Sequence, residues 1–287
     1  MKSILFFLFL HISIAIIAQP GNGRTTIDTI HSRILKEDRF IWVRLPDGFK
    51  KTASYPVLYV LDAEANFNTT VDILIQLSKT TTLPVFSQTI VVGIGNIWLR
   101  DRDYTPTHII SSPLVDSMTA KQSGGGEKFT SFVESELIPY INSHYPVSAK
   151  RVLIGHSLGG LTVMNILLNH KKLFNGYAAI DPSMWWDNQK LLKQSKTTLQ
   201  ESKFDNLSLF LAIANTRELD MGDIAAIKKD AGKKTELILP TVTLTEYLEA
   251  NKQNKLRSSW KYYKDKHHMS VYPVATADAL DFLLKNL

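Results

Sequence analysis

Apolar runs alternate with amphipathic stretches along most of the chain. Near-continuous apolar runs at residues 57–61 and 89–94 are typical of strands that are covered on both faces of a sheet. Elsewhere apolar residues recur at helical spacing, as Phe129, Val133 and Leu137 do. Because strands and helices alternate, the pattern predicts an α/β fold with a doubly wound, mostly parallel sheet flanked by helices.

The same patterns predict the remaining elements. Further strands are expected at residues 40–45, 152–154, 177–180, 207–214 and 258–263. Helices are expected at residues 71–77, 129–140, 161–168, 188–199 and 276–287. Residues 111–126 are polar and end in three glycines, so we expect them to form a mobile flap over a pocket. No internal repeat interrupts this order, which predicts one domain over residues 19–287.

A Gly-x-Ser-x-Gly pattern, formed by Gly155, Ser157 and Gly159, lies between a predicted strand and a predicted helix. In this context the glycines leave room for a tight, strained turn that holds the serine Oγ clear of the sheet. The backbone N–H of Leu158 then faces the place where an oxyanion would form. We therefore predict Ser157 as a nucleophile and Leu158 as an oxyanion donor, with a second donor from residues 62–67.

A serine nucleophile needs a base and usually an acid that orients the base. In the fold that carries this turn, the acid and then the histidine follow the serine, on loops after later strands. His267 and His268 directly follow the last predicted strand. Asp181, Glu218 and Asp220 follow the two strands before it, so all three carboxylates are candidate acids.

Charged and aromatic residues follow other strands whose carboxyl ends should face the same site. Arg100 and Arg102 come after one strand, and Trp185 and Trp186 come after another. Together they predict a partly cationic, partly aromatic pocket for an aryl or anionic acyl ester. The alternative is structural, with Arg102 paired to Asp103 in its own loop and Trp185 packed in the core.

Composition narrows the classes of function. The 287 residues are 44% hydrophobic, which supports a substantial core. The formal charge of +6 is spread along the chain and favours a solvated surface over a nucleic-acid interface. Since the chain has no cysteine, disulfides and thiolate metal sites are excluded. A serine nucleophile with a histidine base needs neither a metal nor a cofactor, and we expect neither.

The first residues have the pattern of an export signal. Met1 and Lys2 form a basic start, residues 4–17 are almost wholly apolar, and Ala18 is a small residue at a cleavage point. This predicts a signal peptide over residues 1–18 and a periplasmic or secreted protein without a stable membrane anchor after cleavage. An uncleaved anchor is the alternative, although the segment is short for a membrane span.

Several motifs together resemble one family of esterases. They are IGHSLGGL at residues 154–161, LFNGY at 173–177, DPSMWWDN at 181–188 and HMSV at 268–271. The combination is similar to the family that includes esterase D and the enterochelin (siderophore) esterases, from about Ile34 to the C-terminus. The resemblance implies an α/β-hydrolase fold and hydrolysis of carboxylic esters through an acyl-enzyme, with an enterobactin-like siderophore ester as the favoured substrate.

The family pattern also selects among the candidate residues. It implies His268 as the base, through His-x-Ser-Val, and Glu218 as the acid, through a Gly-x-x-Glu pattern in which Asn215 replaces the glycine. Ala63 stands where the family has the glycine of a Leu-Asp-Gly loop and is the implied second oxyanion donor. Asp181 replaces the serine that more often precedes Pro-Ser.

Two other functions stay open at this point. A feruloyl or acetyl esterase acting on polysaccharide esters would use the same catalytic residues. A non-catalytic binding module could keep the fold, but the presence of both Ser157 and His268 argues against it. The expected partner is a small-molecule ester, and the sequence leaves the oligomeric state open.

Overall fold

One mixed sheet forms the centre of the protein. The computed structural model describes residues 24–96, 98–216, 223–230 and 235–287, and within them eight strands pair in the order β1-β2-β4-β3-β5-β6-β7-β8. The strands are β1 (Thr25–Ser32), β2 (Glu37–Arg44), β3 (Tyr55–Leu61), β4 (Ile90–Ile94), β5 (Val147–His156), β6 (Gly176–Ile180), β7 (Ser208–Ala214) and β8 (Arg257–Tyr263). Strands β1 and β2 pair antiparallel, as do β2 and β4, and all later neighbours pair parallel. The predicted fold class is therefore confirmed.

Helices cover the two faces of this sheet. In the described residues they are α1 (Ala63–Thr80), α2 (Pro84–Ser87), α3 (Arg100–Asp103), α4 (Ser117–Gln122), α5 (Gly126–Phe132), α6 (Ile138–His144), α7 (Leu158–Asn169), α8 (Trp186–Glu201), α9 (Ile224–Lys229), α10 (Leu239–Ala250) and α11 (Tyr272–Leu284). None of the helices described is both long and apolar enough to cross a membrane.

The alternation of side chains along the central strands separates two buried cores. Leu58 and Val60 of β3 pack in the core that contains residues of α1 and α11, whereas Tyr59 and Leu61 pack in the core on the α7 face. Because both faces are covered, the central strands have no polar face, and this explains their continuous apolar runs. The parallel strands end at one edge, where their following loops meet and form a site.

The predicted helix at 129–140 is interrupted in the structure. Its middle, Val133–Leu137, is a π-helical turn that joins α5 to α6. The amide of Ile138 bonds to the carbonyl of Val133, and Pro139 has no N–H with which to continue an α-helical ladder. The hydrophobic spacing alone does not reveal this change of helical pitch.

The glycine-rich segment expected to be a flap contains α4 and is bonded to the α3 region. The amide of Gly124 donates to Thr105 Oγ1 (2.7 Å), and the amide of Gly125 donates to the carbonyl of Arg102 (2.8 Å). The segment does not line the cavity that contains Ser157. The prediction that these residues cover the pocket is therefore wrong.

Candidate active site

The Gly-x-Ser-x-Gly pattern forms the strained turn that the sequence predicts. Ser157, between β5 and α7, has φ 61° and ψ −119°, which an L-residue adopts only when its surroundings enforce it. Its amide donates to the carbonyl of Ile180 (3.0 Å), and its carbonyl accepts from the amide of Ser183 (3.1 Å). A Cβ on Gly155 would collide with the backbone of Gly159. The turn thus requires glycine where the sequence has it.

His268 lies beside this turn, on the loop that follows β8. Its Nδ1 is 2.6 Å from Oδ2 of Asp181, and its side chain lines the same cavity as Ser157. The neighbouring His267 is exposed and does not line that cavity, and its amide bonds to Ser270 Oγ (3.1 Å). Of the two adjacent histidines, His268 is therefore the one that shares the cavity with Ser157.

The carboxylate of Asp181 is buried and held at both oxygens. Oδ1 accepts from the amide of Ala214 (2.9 Å), and Oδ2 accepts from the hydroxyl of Thr216 (2.9 Å) as well as from His268. Asp181 follows β6 directly and has φ 40°, a left-handed conformation that turns its side chain towards the β8 loop. These bonds fix the carboxylate in one orientation. The contribution of Thr216 could not be predicted from any motif in the sequence.

Glu218, the acid that the family pattern implies, lies outside the described residues, as does Asp220. In the described part of the chain, the carboxylate of Asp181 is bonded to Nδ1 of His268, the ring nitrogen to which an orienting acid would bond. The signal for Asp181 was the position directly after a buried strand together with the replacement of the family's usual serine.

The two predicted oxyanion donors both begin a helix at this edge of the sheet. Leu158 is the first residue of α7, and Ala63 is the first residue of α1. The first amides of a helix have no partner within the helix and can in general bind an anion. Both residues are buried, and neither is among those that line the cavity containing Ser157. Asp62 turns the chain into α1 with φ 53°, and its own amide donates to Tyr104 Oη (3.0 Å). Burial raises the pKa of Tyr104 well above its usual value, which keeps this phenol protonated.

A cavity of about 500 Å³ joins these parts. Its lining residues are Asp62, Glu64, Ala65, Asn66, Thr69, Arg100, His156, Ser157, His268, Met269, Tyr272 and Pro273. Arg100 is the cation in this lining, as the sequence predicted. Its Nε donates to Asp62 Oδ1 (2.9 Å) and its Nη2 to the carbonyl of His156 (3.1 Å), and its guanidinium lies over the ring of Tyr104. Arg100 thereby connects the loop before α1 to the end of β5.

Arg102 has a different place from the one predicted. Its two terminal nitrogens bond to the carboxylate of Glu37 at 3.0 and 2.7 Å, and its Nε bonds to Asp103 Oδ1 at 2.7 Å. The bond to Arg102 lowers the pKa of Glu37. Asp103 also pairs with the buried Arg39. Since this network uses the guanidinium and Arg102 does not line the cavity, the structural alternative describes Arg102 correctly.

The aromatic wall predicted from Trp185 and Trp186 is also absent from the cavity lining. Trp186 is buried, and its Nε1 donates to the carbonyl of Thr107 (3.2 Å). Trp185 is partly buried and packs against the same core. Both indoles thus pack against the protein core at the start of α8, and neither lines the cavity that contains Ser157.

The fold, the strained serine turn and the histidine and aspartate beside it define a serine hydrolase of the α/β-hydrolase class. The model of the family described as "Putative esterase" matches residues 32–282, and the chain belongs to that family. The chain is 30% identical to the ferri-bacillibactin esterase BesA of Bacillus subtilis, over 92% of this chain and 90% of BesA. It is 28% identical to the siderophore enterobactin esterase of Emericella nidulans, over 54% of each chain.

Solved structures agree with these relationships. The crystal structure of an IroE-like serine hydrolase from Shewanella oneidensis superposes with a TM-score of 0.80 and 31% identity, over 91% of this chain and 80% of that one. The family and these relatives make the protein a carboxylic ester hydrolase.

Proposed function

We propose that this protein is an exported serine esterase that hydrolyses an enterobactin-like siderophore ester through an acyl-enzyme. The observation that carries the proposal is the bond between Asp181 and His268, together with the presence of His268 and Ser157 in the lining of one cavity. Two relatives are named as esterases of ferri-bacillibactin and of enterobactin, and these names support the choice of substrate.

The chemistry follows from the position of each group. Asp181 holds Nδ1 of His268, so that Nε2 is the nitrogen that takes the proton from Ser157 Oγ. The oxygen attacks the ester carbonyl, and the resulting oxyanion accepts from the amides of Leu158 and Ala63. His268 then gives its proton to the leaving alcohol, and the acyl group stays on Ser157. Water, deprotonated by His268, releases the acid and restores the enzyme.

In this mechanism Asp181 takes the role that the family pattern gave to Glu218. Two amino-acid side chains and one backbone amide already surround the Asp181 carboxylate, namely His268, Thr216 and the N–H of Ala214. A carboxylate fixed in this way holds the imidazole in the correct tautomer and stabilises the imidazolium as it forms.

Arg100 supplies the positive charge for substrate recognition. Its guanidinium lines the cavity and its side chain is 29% exposed. Asp62 balances part of that charge, so we expect a contact with an anionic group of the substrate to contribute on the order of 1 kcal/mol. The lining also contains the carboxylates of Asp62 and Glu64, so the choice of a siderophore ester over a neutral sugar ester is supported by Arg100 and by the relatives.

The proposal that the protein is exported rests on the sequence of residues 1–18, which lie outside the described residues. Their basic start and apolar run support a signal peptide. Expression of the full chain in a diderm host, followed by fractionation and N-terminal sequencing, tests this part. We expect a periplasmic protein that begins at Gln19, and a cytoplasmic protein that begins at Met1 would contradict it.

The substrate is tested with purified protein on three classes of ester under one set of conditions. These are a catecholate trilactone siderophore, a feruloylated sugar and p-nitrophenyl acetate. We expect kcat/KM to be highest for the trilactone by at least about tenfold, a preference of about 1.4 kcal/mol. Preference for the feruloyl sugar would replace the proposed substrate. The Ser157→Ala protein, prepared in parallel, measures any contaminating esterase.

A further inference from the structure

His156, which immediately precedes Ser157, contacts the proposed base His268. The mechanism described above gives His156 no role. Its Nε2 lies 3.0 Å from the carbonyl oxygen of His268. The two imidazole rings are 4.5 Å apart at their centroids and inclined by 35°. The rings of His156 and Tyr272 meet in an edge-to-face arrangement, with 6.0 Å between their centroids. The side chain is therefore held between the β8 loop and the start of α11.

The carbonyl of His268 can only accept a hydrogen bond, so Nε2 of His156 carries the proton. Burial, and secondly the neighbouring His268, lowers the pKa of His156 to about 4. Arg100 acts in the same direction, and Asp181 opposes it. At neutral pH the ring is therefore uncharged and does not repel the imidazolium that forms on His268 during the reaction.

We propose that His156 is a positioning residue that fixes the catalytic base through its backbone carbonyl and its ring, in addition to the bond that Asp181 makes to Nδ1. Backbone bonds such as that from the amide of Val271 to the carbonyl of His267 (3.1 Å) hold the β8 loop, and Asp181 holds one ring nitrogen of His268. His156 binds the backbone carbonyl of the same residue and covers one face of its ring. Because His156 ends β5, it ties the position of the base to the strand that carries the nucleophile. This inference rests on the proposed role of His268.

Two uncharged variants test whether the hydrogen bond from His156 to the carbonyl of His268 matters, as distinct from the loss of the imidazole ring. In His156→Gln the side-chain amide nitrogen can reach about the position of Nε2, whereas in His156→Asn it corresponds to Nδ1 and is too short to reach the carbonyl. We expect kcat for p-nitrophenyl acetate to fall about 10- to 100-fold in His156→Asn, as for a small misplacement of a catalytic group, with KM changed less than about twofold. His156→Gln should stay within about fivefold of the wild type.

The matched control is His267→Gln, on the exposed neighbour of the base, which should keep the wild-type rate. The rate of inactivation by a fluorophosphonate, which needs the base but no siderophore, should follow kcat across the series. Wild-type kcat in His156→Asn would overturn the proposal, as would a raised KM at unchanged kcat or equal losses in the Asn and Gln variants. A fully active His268→Ala would instead refute the role of His268 itself.

Discussion

The carboxylate of Asp181 lies 2.6 Å from Nδ1 of His268, although Asp181 follows β6 and not the next strand, β7. The neighbouring strand still contributes, because the amide of Ala214 and the hydroxyl of Thr216, at the end of β7, both bond to this carboxylate. The end of β7 therefore supports the acid that β6 presents.

The acid is tested by removing its charge. Asp181→Asn should lower kcat by about 10² to 10⁴-fold, since an amide favours the wrong tautomer of the base. Glu218→Gln, measured beside it, should change kcat by no more than a few-fold. Steady-state kinetics with p-nitrophenyl acetate checks both. The reverse ranking would return the role to Glu218.

The adjacent histidines provide a second comparison. His268→Ala should lower kcat by several orders of magnitude, on the scale of about 10⁶-fold seen when a serine triad is broken. His267→Ala should have a mild effect because this side chain is exposed and outside the cavity. Comparable losses in both variants would contradict the assignment of the base.

The fold could be predicted from the sequence because strands buried on both faces have continuous apolar runs, and these are visible in β3 and β4. The edge strand β1 was missed. It pairs on one side only, and its polar and apolar residues include the exposed Ile27. The serine turn could be predicted because glycine is required at Gly155 for steric reasons that are local in the sequence.

The site was harder to predict where partners are distant in the chain. Arg102 and Glu37 are far apart in sequence, and their pairing depends on how β2 lies beside β4. Likewise, Asp181 and Glu218 both follow predicted strands, so their positions in the sequence do not distinguish them. The contact of Asp181 with His268 depends on the left-handed backbone conformation of Asp181 (φ 40°), which the sequence does not reveal. Sequence motifs identified the residue types but not these contacts.

Arg102 should prove structural in a stability measurement. Arg102→Ala leaves Glu37 and Asp103 without three charge-assisted bonds, so we expect a loss of about 1–3 kcal/mol and a Tm lower by several degrees. Activities on the trilactone and on p-nitrophenyl acetate should fall by the same factor. Lys193→Ala, at an exposed site on α8, serves as the control. A selective rise in KM for the trilactone, with normal Tm, would restore the predicted substrate contact.

Stability should depend on pH through His156. Its pKa is lowered to about 4 in the folded protein, whereas the ordinary value is about 6.5, so the unfolded chain binds a proton first as the pH falls. Protonation of His156 in the unfolded chain therefore lowers the free energy of unfolding as the pH falls, by about 2 kcal/mol between pH 7.5 and pH 5. Urea unfolding at both pH values should show a smaller loss for His156→Gln. An equal loss in wild type and variant would contradict this.

The most direct test of Ser157 as the nucleophile of a siderophore esterase is covalent labelling of Ser157 together with trilactone turnover. A fluorophosphonate should label the wild type on the peptide that contains Ser157, and Ser157→Ala should lose both the label and trilactone hydrolysis, by about 10⁶-fold or to the detection limit. Ser183→Ala, whose hydroxyl lies 3.5 Å from Ser157 Oγ, should keep the label. Equal labelling of the wild type and Ser157→Ala, or trilactone cleavage that survives the substitution, would contradict the account.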